Sequence, residues 1–177
     1  MRRRPALARL CPLPFLTLLV ALAAPGFAQG DAKAPDQVTF YGNPSSPISG
    51  GVVIPANRAY VWTSGTVPGV ADAEAPRDSR ARYGDTYTQS ASVLSRIAGQ
   101  LAEQGLTMRD VVYIRAYLVP DPEKDGRIDM DGWSKAFGEV FGTEQNPTKP
   151  ARSTVGVAAL VVPQWLIEIE AFAVFPQ

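Results

Sequence analysis

The sequence of 177 residues contains no histidine and a single cysteine, Cys11. The first absence excludes a Ser-His-Asp triad, a histidine zinc site and a haem histidine ligand. The second excludes an intrachain disulfide and a four-cysteine metal cluster. Any catalysis must use Asp, Glu, Arg, Lys, Ser, Thr, Tyr or backbone groups. An excess of either charge is also missing: 17 Lys+Arg stand against 17 Asp+Glu, for a formal net charge of zero. Charged residues are 19% and hydrophobic residues 46%, a composition that suits one globular domain.

A long apolar run is lacking as well. The longest stretch, Leu13 to Ala24, is 12 residues, and a membrane-spanning helix needs about 20. It follows Arg2, Arg3, Arg4 and Arg9 and precedes Gly26 and Ala28. A basic start, a short apolar stretch and small residues at a boundary form a secretory signal peptide, expected to be cleaved before Gln29. The expected division is therefore a leader over 1–28, a flexible lead-in over 29–37 and one domain over 38–177. Export to the periplasm or the medium follows, with no membrane attachment after cleavage. The leader carries four arginines and no acid, so 13 basic residues face 17 acidic ones in the mature chain, net −4. That chain has no cysteine, and its charge disfavours nucleic acid as a partner.

What is present reads as an α+β domain of order β-β-β-α-β-α-β-β, with two helices on one face of a mixed sheet. Short strands are expected at 38–41, 52–54 and 59–63, the second and third around a turn at Pro55-Ala56-Asn57-Arg58. Residues 65–82 form a polar connection whose Arg77, Arg80 and Arg82 face solvent or an anion. Val93, Leu94, Ile97 and Leu101 give a helix over 85–104 one apolar face, with Asp85 as N-cap and Gly105 as stop. In the strand 111–119, Val112, Ile114, Ala116 and Leu118 pack on a helix. Val111, Tyr113, Arg115, Tyr117 and Val119 face a wet cleft or a subunit interface. A helix over 131–141 carries the stripe Trp133, Phe137, Phe141, expected as core. Strands at 154–160 and 166–174 close the domain.

The last strand places Glu168 and Glu170 on one face and Ile167, Ile169 and Ala171 on the other. Carboxylates in such a strand need partners or water. Arg152, at the entry to the preceding strand, is the candidate partner. Two readings stay open at this point, a structural cross-strand ion pair and a functional site.

Pro150-Ala151-Arg152-Ser153-Thr154-Val155-Gly156-Val157, followed by Ile167-Glu168-Ile169-Glu170-Ala171-Phe172-Ala173, resembles the C-terminal signature of the Rid (reactive intermediate deaminase, YjgF) family. Thr63-Ser64-Gly65 resembles the family's Ser-Gly after an early strand. Gln89 with Val93, Leu94 and Ile97, Gly105-Leu106 before Asp110-Val111-Val112, and Phe141-Gly142 agree in order. The likeness covers roughly residues 38–175. It implies a chorismate-mutase-like (RidA-like) fold, a homotrimer with clefts between subunits, and hydrolysis of reactive enamines and imines to 2-keto acids and ammonia without a metal or organic cofactor. By the same resemblance Arg152 binds the substrate carboxylate, Glu168 places water or moves a proton, and Thr154 orients substrate where archetypal members often hold cysteine. One departure stands out: Ser49-Gly50-Gly51-Val52 has no aromatic where the archetypal deaminases carry Tyr, leaving Tyr41 or a Tyr of strand 111–119 to compensate. The alternative function is a non-catalytic trimeric module that binds small carboxylates in the same cleft. A ribonuclease role is disfavoured by the net charge of −4.

Overall fold

Alternation of apolar and polar residues makes strand β4 (Val111–Leu118) the centre of the domain. The structure, a computed structural model, describes residues 33–177. The expected leader and the start of the lead-in lie outside the described residues. Three short strands come first: β1 (Thr39–Tyr41), β2 (Gly51–Val53) and β3 (Tyr60–Trp62). Helix α1 (Thr86–Glu103), β4, helix α2 (Met130–Val140), β5 (Ala151–Gly156) and β6 (Ile167–Val174) complete the order, which is the one expected. The main sheet runs β3-β6-β4-β5, with β4 and β5 parallel and the other pairs antiparallel. Helices packed on a mixed sheet make the fold α+β, as expected.

Helix α1 starts where Asp85 accepts a hydrogen bond from the Thr88 amide at 2.8 Å. This satisfies one of the free amides at a helix start and holds the Asp85 carboxyl below its ordinary range. The helix stops at Gly105 (φ 75°), where the Leu106 amide returns to the Leu101 carbonyl. Val93, Leu94, Ile97 and Leu101 are buried against Trp133 and Phe137 of α2 and against Ile114, Ile167 and Ile169 of the sheet. The fully buried Gln89 is matched at every polar atom it brings inside. Its Nε2 donates to the Gly84 and Gln164 carbonyls, and its Oε1 accepts from the Leu166 amide at 2.7 Å. It thereby ties α1 to the start of β6. Among the described residues no helix is long and apolar enough to cross a membrane.

Several expectations are corrected. Strand β2 pairs with β1, not with β3, and the two form a separate hairpin. The chain folds back there because the Gly50 amide reaches the Tyr41 carbonyl at 2.7 Å, beside Gly42 at φ 129°. Strand β5 covers 151–156, not 154–160. It begins as soon as Pro150 is passed, pairs with β4, and ends where Gly156 meets the Ile128 side chain. Val111 is buried, because a bulge between Val111 and Tyr113 turns it away from the open face. Arg80 and Arg82 are engaged. Arg80 pairs with the fully buried carboxylate of Asp121 at 2.6 Å and with Glu123, while Arg82 donates to the Ala73 and Ala75 carbonyls.

Candidate functional site

Period-two alternation along β5 sends Arg152 and Thr154 to the side of the sheet covered by α2, and Ser153 and Val155 to the other. The Arg152 guanidinium lies 4.5 Å from the ring centre of Phe137 and 5.4 Å from that of Trp133. Such contacts with ring faces suit a cation. The Trp133 Nε1–H donates to Thr154 Oγ1 at 3.1 Å. The aromatic stripe expected as core is core, and its edge is also the floor beneath Arg152. Arg152 is half-buried, and burial alone lowers its pKa. Among the described residues it meets no carboxylate and makes no side-chain hydrogen bond. A guanidinium keeps its charge under such desolvation. It is therefore a two-pronged hydrogen-bond donor that the protein's own acceptors leave unmatched among the described residues.

Glu168 projects from the opposite face of the sheet. Thr63 to Thr66 run beside β6, bonded from the Thr63 amide to the Ala171 carbonyl and from Thr66 to Ile169 in both directions. Between them, Gly65 lets the Glu168 carboxylate in. A Cβ on Gly65 would stand 1.7 Å from Glu168 Oε1. The resemblance at Ser64-Gly65 thus acquires a physical content: the glycine makes room for the acid.

The same face carries Arg115 and Glu170, opposite one another on β4 and β6, at 3.4 Å. The Tyr117 hydroxyl donates to Glu170 at 3.4 Å, and the Arg115 guanidinium lies 5.8 Å from the Tyr113 ring. Further along, Tyr60 stacks on Phe172 with ring centres 4.6 Å apart, and Trp62 meets Phe172 edge-on at 5.9 Å. Tyr60 and Trp62 are 58% and 59% exposed.

Arg152 is therefore not the partner of Glu168 or Glu170. Strand β4 stands between β5 and β6, and Arg152 points to the other face. Arg152 is in register with Ile114 and Glu168 with Tyr117, three positions along β4, or about 10 Å. No small molecule touches both within one protomer. The structural ion pair exists, but Arg115 makes it. The alternation had already put Arg115 on that face; the missing signal was strand order. Among the described residues no group of three or more His, Cys, Asp or Glu is placed to hold a metal ion.

A family model described as endoribonuclease L-PSP matches residues 45–175. The chain belongs to this family, that of the Rid/YjgF proteins. One solved structure with a similar fold is YyfB of Yersinia pestis, a Rid-family protein. It is 25% identical over 78% of this chain and 99% of its own, with a TM-score of 0.59. Another is TdcF of E. coli, solved with bound serine. It is 24% identical over 78% of this chain and 99% of its own, and its TM-score of 0.52 marks the shared fold.

Within this Rid-family chain the segment lacking the archetypal Tyr lies beside the start of β5. Ser49 bridges to Ala151, its amide reaching the Pro150 carbonyl at 3.4 Å and its hydroxyl donating to the Lys149 carbonyl. The Tyr41 phenol fills the space that a side chain on Gly51 would take, its oxygen 2.2 Å from such a Cβ. An aromatic thus returns to this loop from β1. Tyr113 and Tyr117, the other candidates, lie on the Glu168 side of the sheet.

Proposed function

We propose that this Rid-family chain hydrolyses reactive enamine and imine intermediates of amino acids to 2-keto acids and ammonia. The observation that carries the reading is the unpaired, half-buried guanidinium of Arg152 above two aromatic rings, with the Thr154 hydroxyl two residues on. A substrate carboxylate satisfies the guanidinium bidentately and offsets its desolvation. Because Thr154 Oγ1 accepts from Trp133, its own proton is free for the substrate. An enamine first tautomerises to the imine. Water adds to the C=N carbon, the nitrogen takes a proton, the C–N bond breaks, and the new C=O forms as the hydroxyl proton departs. One carboxylate can shuttle those protons, and the reaction consumes only water. Glu168 supplies that carboxylate from a neighbouring protomer, as its place on the opposite face from Arg152 calls for. The open face with Tyr60, Trp62 and Phe172 suits burial in a homotrimer.

The test is keto-acid release from imines generated by an amino-acid oxidase. Arg152→Ala is expected to lose about 100-fold, the loss of two charge-assisted hydrogen bonds. Equal rates for wild type, Arg152→Ala and no protein would sink the proposal. The separation of Arg152 from Glu168 also favours a second reading, a module that binds small carboxylates without turnover. It predicts an Arg152-dependent thermal shift with 2-ketobutyrate and no acceleration. RNA as substrate would need more than one unpaired guanidinium at the site. We further propose that residues 1–28 direct export; a mature N-terminus at Gln29, read by mass spectrometry, is the expected result.

A further inference from the structure

We infer that the chain has a second ligand site, for a small carboxylate with a flat apolar body, between β1, the β2–β3 turn and the end of β6. It stands independently of the proposed hydrolysis. The site is a cavity of about 340 Å³, within the range of small-molecule pockets. Val112 and Val174, both buried, form its floor. Phe40 and Phe175 add two rings, and Phe40 remains 36% exposed. None of Arg152, Thr154, Gly65 and Glu168 lines it.

Two arginines lend it charge. Arg58, from the Pro55–Arg58 turn, is partly buried, and its Nε is cut off from solvent with no hydrogen-bond partner. Its side chain meets no carboxylate among the described residues. Among the described residues no side-chain hydrogen bond occupies the terminal nitrogens either, and with Nε inaccessible they are the donors this guanidinium can offer a ligand. Arg109 donates to the Gln145 carbonyl and has no acidic partner among the described residues. The one acidic side chain in the lining, Asp110, is committed elsewhere: it accepts from the Thr107 amide at 2.7 Å and from the Thr107 hydroxyl at 2.9 Å. Two guanidinium groups thus line the cavity beside one side-chain carboxylate, and that carboxylate is engaged. A carboxylate meets that charge, and an aromatic or branched body meets the rings and valines.

The test uses the full chain, phenylacetate as probe and benzyl alcohol as its uncharged counterpart, followed by methyl NMR. Phenylacetate is expected to shift Val38, Val112 and Val174 saturably, and benzyl alcohol to bind at least about tenfold more weakly. Arg58→Gln should weaken phenylacetate about tenfold. Arg58→Lys keeps the charge without the fork and should weaken it less. Arg152→Ala should leave these shifts unchanged, which separates this site from the one proposed for hydrolysis. The inference is overturned if no saturable shift occurs up to the solubility limit, or if a folded Arg58→Gln binds like wild type. Equal binding of benzyl alcohol, or loss of the shifts in Arg152→Ala, would overturn it too.

Discussion

Gly65→Ala separates the position of Glu168 from its presence. The new Cβ would lie 1.7 Å from Glu168 Oε1, and an ordinary carbon–oxygen contact is about 3.3 Å, so the oxygen must retreat by about 1.6 Å. Gly65 does not have a left-handed φ, so alanine brings no backbone strain. The atom that must move is the end of a flexible side chain. Turning it off its preferred rotamer costs about 1 kcal/mol, or roughly 3 °C in Tm for a domain of this size. The chemical cost is larger, since a misplacement of about 1 Å commonly loses about 100-fold in rate. Gly65→Ala should therefore cut oxidase-coupled keto-acid release about 100-fold while melting within a few degrees of wild type. Added to Glu168→Ala it should cost little more, because both act on one group. A Gly65→Ala protein with wild-type rate would refute the reasoning. So would one whose rate loss tracks a large fall in Tm, since the effect would then be on the fold.

Arg80→Met leaves the fully buried Asp121 carboxylate without its cation and should destabilise the protein by about 3 kcal/mol. Arg80→Met with Asp121→Asn should recover much of that loss in urea unfolding, and no recovery would deny the coupling. Asp85 has a folded pKa below its unfolded value of 3.8, so its contribution is present above about pH 4 and is lost as pH falls through the folded value. Asp85→Ala should cost about 1 kcal/mol at pH 7, and its gap to wild type should narrow in acid; a gap constant down to pH 2 would contradict this. Trp133→Phe keeps a ring under Arg152 but removes the donor to Thr154 Oγ1. It should cost about 1–2 kcal/mol and weaken 2-ketobutyrate binding less than Arg152→Ala does.

The element order was legible because periodicity reports local structure. Val93, Leu94, Ile97 and Leu101 fall on one helical face, and Glu168 alternates with Ile167 and Ile169, whatever the tertiary fold. Alternation gives the face of a side chain but not the strand beside it, and so it does not reveal that Glu170 pairs with Arg115 and not with Arg152. The sequence does carry one signal of strand order. Strand 111–118, a helix and the next strand form a β-α-β unit, which favours parallel pairing of its two strands. That pairing puts β5 beside β4, and the pairing of β6 with the other edge of β4 then separates Arg152 from β6. The bulge at Val111 and the close approach of Gly65 to Glu168 depend on contacts between distant segments, which no local pattern encodes. The resemblance brought Arg152 and Glu168 together as one site. The sheet places them on opposite faces, with β4 between. Both statements hold for one small substrate only if the guanidinium of one protomer and the carboxylate of another meet across an interface. Of the sheet's two faces, helices cover the one bearing Arg152. The one bearing Glu168 ends in two largely exposed aromatic side chains, Tyr60 and Trp62, so the proposed hydrolysis predicts that a second protomer docks on that face.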